Sequence, residues 1–140
     1  MLFFRISNVL CKVGLKPLGR LFWLINRLLL SIDIDPRATL KGGVVILHGA
    51  GIVIGRYVIA EGDFTIYQGA TLGGNNNKEA LYKGKTITQP VLMHGCVIGI
   101  HAVVMGPVIL HNNVRVGANA IVTKNVPENA VVVSNNKILK

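Results

Sequence analysis

Few side chains in this chain can take up a proton near neutral pH, and one of them stands in an unusual setting. The 140 residues include four histidines and six acidic residues. His48 opens a glycine-rich stretch and follows the carboxylate of Asp33 by fifteen residues. Histidine is the usual general base for a hydroxyl, and a carboxylate on the other ring nitrogen fixes its tautomer. Without its flanking motif, His48 would be better interpreted as a solvated histidine in a turn.

The elements that must position these side chains follow a six-residue period from Asp33 onward. Aliphatic residues recur at every sixth position in three runs, which start at Ile34, Ile54 and Leu92. A small or aliphatic residue stands four positions after nearly every repeat start, as Ala102 does after Ile98. We expect an all-β, left-handed parallel β-helix of hexapeptide repeats, in which three six-residue sides complete a triangular coil of about eighteen residues.

The period breaks in two places, and both are candidate site positions. It slips by two residues around His48, and it breaks again between Leu72 and Leu92. The second break contains residues 73–85, which are rich in glycine, asparagine and charged residues and predict a loop that leaves the coil. Long loops on a rigid scaffold often carry functional residues.

The N-terminal residues have a helical pattern. Pro17 favours the start of a second helix, so we expect helices over 2–13 and 17–31, and domains over 1–32 (helical segment) and 33–140 (β-helix). The helical segment contains no acidic residue, and its cations project from one side: Arg5, Lys12, Lys16, Arg20 and Arg27. Peripheral membrane contact through residues 1–31 is one interpretation. We favour a cap over the open end of the β-helix, formed by Phe3, Phe4, Leu21, Phe22, Trp23 and Leu28.

Composition limits the function classes. The net charge is +9 and 51% of the residues are hydrophobic, which fits one domain with a core. Cys11 and Cys96 lack the spacing of a zinc site and predict reduced thiols in a cytoplasmic protein. If the N-terminal helices bind lipid, we expect the protein at the inner face of the membrane. No signal-peptide cleavage site and no stretch long enough to span a membrane are evident. We expect no nucleic-acid partner.

Four strings between Asp33 and about Val133 point to one family: Asp33-Ile34-Asp35-Pro36, the stretch 48–55 (HGAGIVIG), the stretch 66–74 (IYQGATLGG) and the stretch 116–127 (VGANAIVTKNVP). In these strings the chain resembles the serine acetyltransferase branch of the hexapeptide-repeat acyltransferases. The resemblance implies transfer of an acetyl group from acetyl-CoA to a hydroxyl. It also implies that His48 is the general base and that Asp33 is the carboxylate that orients it.

The departures from the family pattern concern the acceptor. Gln89 replaces a second histidine, Leu47 replaces an acidic residue, Thr88 replaces an arginine and Arg56 replaces a glutamate. A free amino acid needs partners for its ammonium and its carboxylate. We therefore expect the acetyl acceptor to be a hydroxyl of a sugar or glycan, of capsule or lipopolysaccharide type, which gives the protein a role in polysaccharide modification. Gln89 and Arg56 are the expected substrate-binding residues. Serine O-acetylation is the alternative.

For the donor, the resemblance implies a coenzyme A groove between adjacent subunits of a homotrimer, with backbone amides along the pantetheine arm. Gly74 and Ile100 correspond to such positions, and Lys124 could meet a phosphate of the coenzyme, although a solvated lysine is an equal interpretation. No metal is expected. A zinc enzyme using His94 and His111 is a weak alternative. A non-catalytic β-helix assembly module is another, which the presence of both Asp33 and His48 disfavours.

Overall fold

The chain forms two helices followed by a solenoid of short strands. This computed structural model describes residues 1–134. Helices α1 (Leu2–Lys12) and α2 (Lys16–Leu30) come first. The strands are β1 (Ile32–Ile34), β2 (Thr39–Leu40), β3 (Val44–Leu47), β4 (Ile52–Ile54), β5 (Ile59–Ala60), β6 (Phe64–Tyr67), β7 (Thr71–Gly73), β8 (Ala80–Tyr82), β9 (Lys85–Ile87), β10 (Val91–Leu92), β11 (Cys96–Ile98), β12 (Val103–Met105), β13 (Ile109–Leu110), β14 (Arg115–Val116), β15 (Ile121–Val122) and β16 (Val131–Val132).

Fourteen of these strands build three parallel sheets, the faces of a triangular solenoid. The first face has the order β1-β4-β7-β12-β15, the second β2-β5-β10-β13 and the third β3-β6-β11-β14-β16. Because successive strands along the chain visit the three faces in turn, each coil crosses every face once. The parallel β-helix predicted from the six-residue period is confirmed, and so are the two N-terminal helices.

The core consists of the residues that start each repeat. Ile54, Ile66, Leu72, Ile98 and Leu110 are at most 1% exposed. The residues four positions after each repeat start are also buried at most corners. The space inside a corner is small, which explains why several of these residues are alanine. The rule fails at Ala50, which is exposed because the two-residue slip turns the chain outward there.

The second break in the period is a hairpin that leaves the solenoid and folds back onto it. Strands β8 and β9 pair in antiparallel fashion. The Tyr82 hydroxyl donates to Glu61 Oε1 at 3.3 Å, and Lys83 Nζ lies 3.2 Å from the same oxygen. These contacts hold the hairpin against the second face.

The two helices cover the first coil. Phe4 is 2% exposed, and its neighbours provide polar anchors to the backbone of that coil. Arg5 donates to the carbonyl oxygens of Leu40 and Gly42, Asn8 to that of Pro36 and Asn26 to that of Ile32. Side chains of the two helices thus donate hydrogen bonds to backbone carbonyls at the open end of the solenoid, as a cap requires. Phe4 has the position expected of a capping residue, but Leu21 and Leu28 are 50% and 72% exposed and do not cover the coil.

Candidate active site

Two corners bound the first face, and they carry most of the candidate residues. The upstream edge, where the chain enters this face, comprises residues 48–51, 68–70, 99–102 and 117–120. The downstream edge, where the chain leaves it, comprises residues 35–38, 55–58, 74–90, 106–108 and 123–125. One strand of the first face lies between the two edges in each coil.

Left-handed backbone conformations stack along the upstream edge. Gly51, Gly69, His101 and Asn119 have φ values of 69°, 68°, 53° and 56° in successive coils. Their amides donate to carbonyls of the coil below, for instance Gly69 N to Ala50 O at 2.8 Å. The left-handed φ favours glycine at Gly69, and a Cβ there would also force the exposed imidazole of His101 to move.

His48 lies at this edge, immediately after β3. Its φ of 53° is also left-handed, and its side chain is exposed. It lines a depression of about 530 Å³ together with Ser31, Ile32, Gly49 and Gln68, among others. An imidazole in this position is open to solvent and can accept a proton from a bound hydroxyl.

Gln68 shares this depression and has an unusual property. Its Oε1 is buried, and it is the one buried side-chain oxygen or nitrogen without a hydrogen-bond partner among residues 1–134. Buried polar groups are nearly always paired, so an unpaired one beside an exposed histidine makes Gln68 a candidate for contact with a ligand group. Gln68 stood within the family-like string of the sequence, but nothing in the string distinguished it from its neighbours.

Asp33 is held by the second helix and not by His48. It projects outward from β1 between the buried Ile32 and Ile34. The indole Nε1 of Trp23 donates to its Oδ1 at 2.8 Å, and Arg27 Nη1 lies 3.5 Å from its Oδ2. Within the described part of the chain, no hydrogen bond joins Asp33 to His48, and the two line different depressions. Sequence reasoning identified neither Trp23 nor Arg27 as a partner of Asp33.

Gln89 and Arg56 lie together at the downstream edge, in a depression of about 360 Å³ that also includes Asp33, Asp35 and Trp23. The side chain of Gln89 covers Gly55, where an added Cβ would meet its Oε1 at 2.3 Å. That oxygen accepts the backbone N–H of Tyr57 at 3.0 Å. Gln89 therefore fixes the corner, and its amide nitrogen remains available to a ligand.

Asp35 brings a carboxylate to the same depression. Arg37 Nε lies 3.1 Å from its Oδ1, and Arg56 Nε lies 3.4 Å from its Oδ2. Burial raises the pKa of the Asp35 carboxyl, but the hydrogen bonds from Arg37 and Arg56 outweigh this effect, so the pKa lies below its ordinary value. The carboxylate is ionised at neutral pH, and it places a negative charge next to Arg56.

The three expected coenzyme-binding residues divide between the two edges. Ile100 is at the upstream edge and is 37% exposed. Gly74 is at the downstream edge, where an added Cβ would lie 3.4 Å from Thr88 O. Lys124 follows β15 at the same edge and is exposed. Five residue steps from Gly51 to Arg56 span about 16 Å of extended chain, so one chain does not bring the two groups of residues together.

The remaining histidines, His94, His101 and His111, are exposed. His94 Nδ1 contacts Asp63 Oδ1, and the backbone N–H of His94 donates to Asn112 Oδ1. Among the residues that the structure describes, no group of three or more His, Cys, Asp or Glu side chains could hold a metal ion. None of the helices described is long and apolar enough to cross a membrane.

Comparison with known proteins places these features in a family. A serine acetyltransferase of Helicobacter pylori (strain J99) is 35% identical over 133 residues, which are 95% of this chain and 74% of that protein. A serine acetyltransferase of Synechococcus elongatus is 37% identical over 129 residues, 92% of this chain and 50% of that protein. No protein-family model matches the sequence.

Solved structures give the same result. The serine acetyltransferase of Brucella abortus in complex with coenzyme A superposes with a TM-score of 0.85 at 26% identity, covering 95% of this chain and 51% of that one. That of Neisseria gonorrhoeae in complex with serine has a TM-score of 0.83 at 27% identity, covering 96% and 52%.

A parallel β-helix of six-residue repeats with an exposed histidine at its edge defines the class of hexapeptide-repeat acyltransferases. Within that class, the chain belongs to the serine acetyltransferase family, as its likeness to most of the Helicobacter protein shows. The chain spans 50% of the Synechococcus relative and 54% of a Mycobacterium tuberculosis relative, about half the length of each.

The expectation of a sugar or glycan acceptor, and with it polysaccharide modification, is wrong. The relatives and solved neighbours described above are serine acetyltransferases, and one of them holds serine. The error came from treating the changes at Leu47, Arg56 and Thr88 as a loss of charged partners. The structure instead pairs Arg56 with Asp35, so a cation and a carboxylate are both present at the downstream edge.

Proposed function

We propose that this chain is an acetyl-CoA-dependent O-acetyltransferase and that its acceptor is the hydroxyl of L-serine. The observation that carries the proposal is the upstream edge, where exposed His48 and the unpaired Oε1 of Gln68 line one depression in a chain of the serine acetyltransferase family. The bound coenzyme A and serine of the Brucella and Neisseria proteins support the choice of donor and acceptor.

In this proposal His48 is the general base. Its imidazole takes the proton of the serine hydroxyl as the oxygen attacks the carbonyl carbon of the thioester. The carbon–sulfur bond then breaks, and the imidazolium returns its proton to the departing thiolate, which leaves as coenzyme A. The Gln68 carboxamide is proposed to hold the hydroxyl or the imidazolium, because its Oε1 can accept a hydrogen bond that no described residue supplies.

Asp33 keeps its proposed role as a carboxylate that supports the base. Its present partners, Trp23 and Arg27, fix the carboxylate on the outer side of the first face. An interaction with the imidazole of His48 would require one of these contacts to rearrange when substrate binds. Asp33→Asn should therefore weaken activity less than loss of the base does.

The charges of an amino-acid acceptor have candidate partners at the downstream edge. Asp35 is proposed to face the ammonium group and Arg56 the carboxylate, with the Gln89 amide as a third contact. These three side chains share one depression, and Asp35 and Arg56 already contact each other. A zwitterion can displace that contact without leaving either charge unpaired.

The division of residues between two edges supports a homotrimer. About 16 Å of extended strand separates the upstream edge from the downstream edge of the same chain, which is too far for one serine molecule to contact both groups. The upstream edge of one copy against the downstream edge of a second would complete the site, with acetyl-CoA in the groove between them near Gly74, Ile100 and Lys124. Light scattering should give three times the chain mass of 15.1 kDa. A monomer that binds acetyl-CoA would contradict this assembly.

The N-terminal helices are proposed to act as a cap and not as a membrane anchor. Two cations of the basic stripe are engaged by the protein itself, Arg5 by the carbonyls of the second face and Arg27 by Asp33. Co-sedimentation with vesicles of anionic lipid checks the alternative of membrane contact. Salt-sensitive binding that disappears on deletion of residues 1–30, with the assembly intact, would contradict the cap.

Release of coenzyme A from acetyl-CoA tests the function. The rate, followed with a chromogenic thiol reagent, should rise and saturate with L-serine and should remain near the blank with water or glucosamine as acceptor. A thioester that stays intact with serine present would favour the non-catalytic assembly module.

A further inference from the structure

A second cavity lies outside the proposed catalytic depression, between the helices and the first two coils. It has a volume of about 610 Å³ and opens between α2 and the downstream edge of the first face. Its walls come from both helices and from the corners of two coils: Cys11, Lys16, Arg20, Trp23, Asp35, Pro36, Arg37 and Arg56. The catalytic proposal uses Asp35 and Arg56 but leaves most of this cavity without a role.

The charges around the cavity are strongly unbalanced. Four cations, Lys16, Arg20, Arg37 and Arg56, surround a single carboxylate, that of Asp35. Asp35 is paired with Arg37 and Arg56. In the part of the chain that the structure describes, no carboxylate lies within 4.0 Å of a nitrogen of Lys16 or Arg20. Cations gathered around one cavity repel one another, and a bound anion relieves that repulsion.

A depression under the β8–β9 hairpin has the same number of charges, with Arg37, Lys41, Lys83 and Lys85 around the carboxylate of Glu61. Under the β8–β9 hairpin, Lys41 and Lys83 both contact Glu61, which also accepts the hydroxyl of Tyr82. Because Arg37 is paired with Asp35, Lys85 is the one cation of that depression without a carboxylate within 4.0 Å among the described residues. The cavity beside the helices is the better candidate for an external anion, since two of its cations, Lys16 and Arg20, are open to a ligand and one of them is a guanidinium.

The types of side chain suggest which anion fits. Guanidinium groups present parallel donors that match the oxygens of a phosphate, and an ammonium adds a compact charge. Trp23 and Pro36 form an apolar wall next to these donors, so the group attached to a phosphate has a surface to pack against. The carboxylate of Asp35 does not prevent an anion from binding in this cavity, because Arg37 and Arg56 already balance its charge.

We propose that this cavity is a phosphate-binding site that takes inorganic phosphate or the phosphate group of an ester. Lys16 and Arg20 bind the phosphate oxygens directly, Arg37 adds a third donor, and Trp23 forms the wall. The site is separate from the His48 depression, although it shares Asp35 and Arg56 with the proposed acceptor site. Its occupancy is read out without turnover, so failure of phosphate binding and failure of serine acetylation are distinguishable.

Trp23 makes the site directly measurable because it is the one tryptophan of the chain. Sodium phosphate is titrated into the full-length protein while tryptophan fluorescence is recorded, with sodium chloride at matched ionic strength as the reference. The test variant is K16Q together with R20Q, which changes two exposed helix positions and leaves the core untouched. The matched control is R115Q, which removes a cation of the same kind from the exposed side of β14 on the third face.

A saturable change with phosphate but not with chloride is the expected result. The double variant should weaken binding by about tenfold or more for each cation removed, and R115Q should leave the dissociation constant unchanged. Phosphate should also slow alkylation of Cys11, which lines the cavity. No saturable change, or equal weakening by R115Q and by the double variant, overturns the proposal.

Two further arms identify the source of the phosphate. If coenzyme A competes with inorganic phosphate for the Trp23 signal and dephospho-coenzyme A does not, the 3′-phosphate of the coenzyme occupies the site. If neither competes while inorganic phosphate or phosphoserine binds, the ligand is a separate phosphate compound. Both results support a phosphate site and differ only in what brings the phosphate.

Discussion

Replacing His48 by asparagine should separate catalysis from stability. Asparagine adopts left-handed backbone conformations readily, so the φ of 53° at this position is kept while the base is lost. The His48 side chain is exposed and no hydrogen bond to it is found among the described residues, so the free energy of unfolding should change by no more than about 0.5 kcal/mol. Loss of general-base catalysis should lower kcat by about 100- to 10,000-fold.

The chain offers a closely matched control for this variant. His101 has the same φ of 53°, is also exposed and lies at the same upstream edge. His101→Asn should retain most of the kcat, because the imidazole of His101 packs over Gly69 and faces no depression shared with Gln68. Steady-state release of coenzyme A gives kcat, and urea unfolding gives stability. A His48→Asn variant with more than roughly a tenth of the parent kcat would refute His48 as the base.

Three further predictions concern the scaffold. Gly69→Ala should lower the free energy of unfolding, measured by urea titration, by about 2–5 kcal/mol, because a left-handed φ and a clash with His101 combine. Gly84 has a φ of 73° and open space around it, so Gly84→Ala should lower the free energy of unfolding by only about 1 kcal/mol in the same titration. Because the pKa of Asp35 is lowered in the folded protein, the stabilisation from its carboxylate is present above the ordinary pKa of 3.8 and is lost as the pH falls through the lower folded pKa. Asp35→Asn should therefore flatten the acid side of a plot of the free energy of unfolding against pH. An unchanged acid side would contradict the pairing of Asp35 with Arg37 and Arg56. Burial raises the pKa of the Cys96 thiol to about 11, so a thiol reagent at pH 8 should modify Cys11 in the native protein and Cys96 only after unfolding. Rapid modification of both cysteines in the native protein would show that reagent reaches the core at Cys96.

The sequence was sufficient to predict the solenoid because its core is periodic. Every coil needs an apolar residue at the same place, so the six-residue spacing of Ile54, Ile66 and Leu72 follows directly from the geometry of stacked strands. The slip around His48 was visible for the same reason, since a break in a strict period stands out. The two breaks pointed to His48 and to the loop over residues 73–85 as candidate site positions, whereas the other candidates came from the family resemblance.

The side-chain partners could not be predicted from spacing. A separation of fifteen positions, a little less than one coil, allows Asp33 and His48 to lie in neighbouring layers. It does not say that α2 would bring Trp23 and Arg27 to the Asp33 carboxylate. Gln68 gave no signal either, because an unpaired amide oxygen is a property of its surroundings. The error about the acceptor has the same origin: Arg56 was considered without Asp35, although the fold makes them a pair.

The most direct test of the account is to identify the product. The purified chain is incubated with acetyl-CoA carrying a ¹³C-labelled acetyl group and with L-serine, and the products are separated and analysed by NMR and mass spectrometry. We expect one labelled O-acetylserine for each coenzyme A released, and no labelled product from the His48→Asn variant. Coenzyme A release without labelled O-acetylserine, or the same yield from the variant, would contradict the proposed reaction and its base.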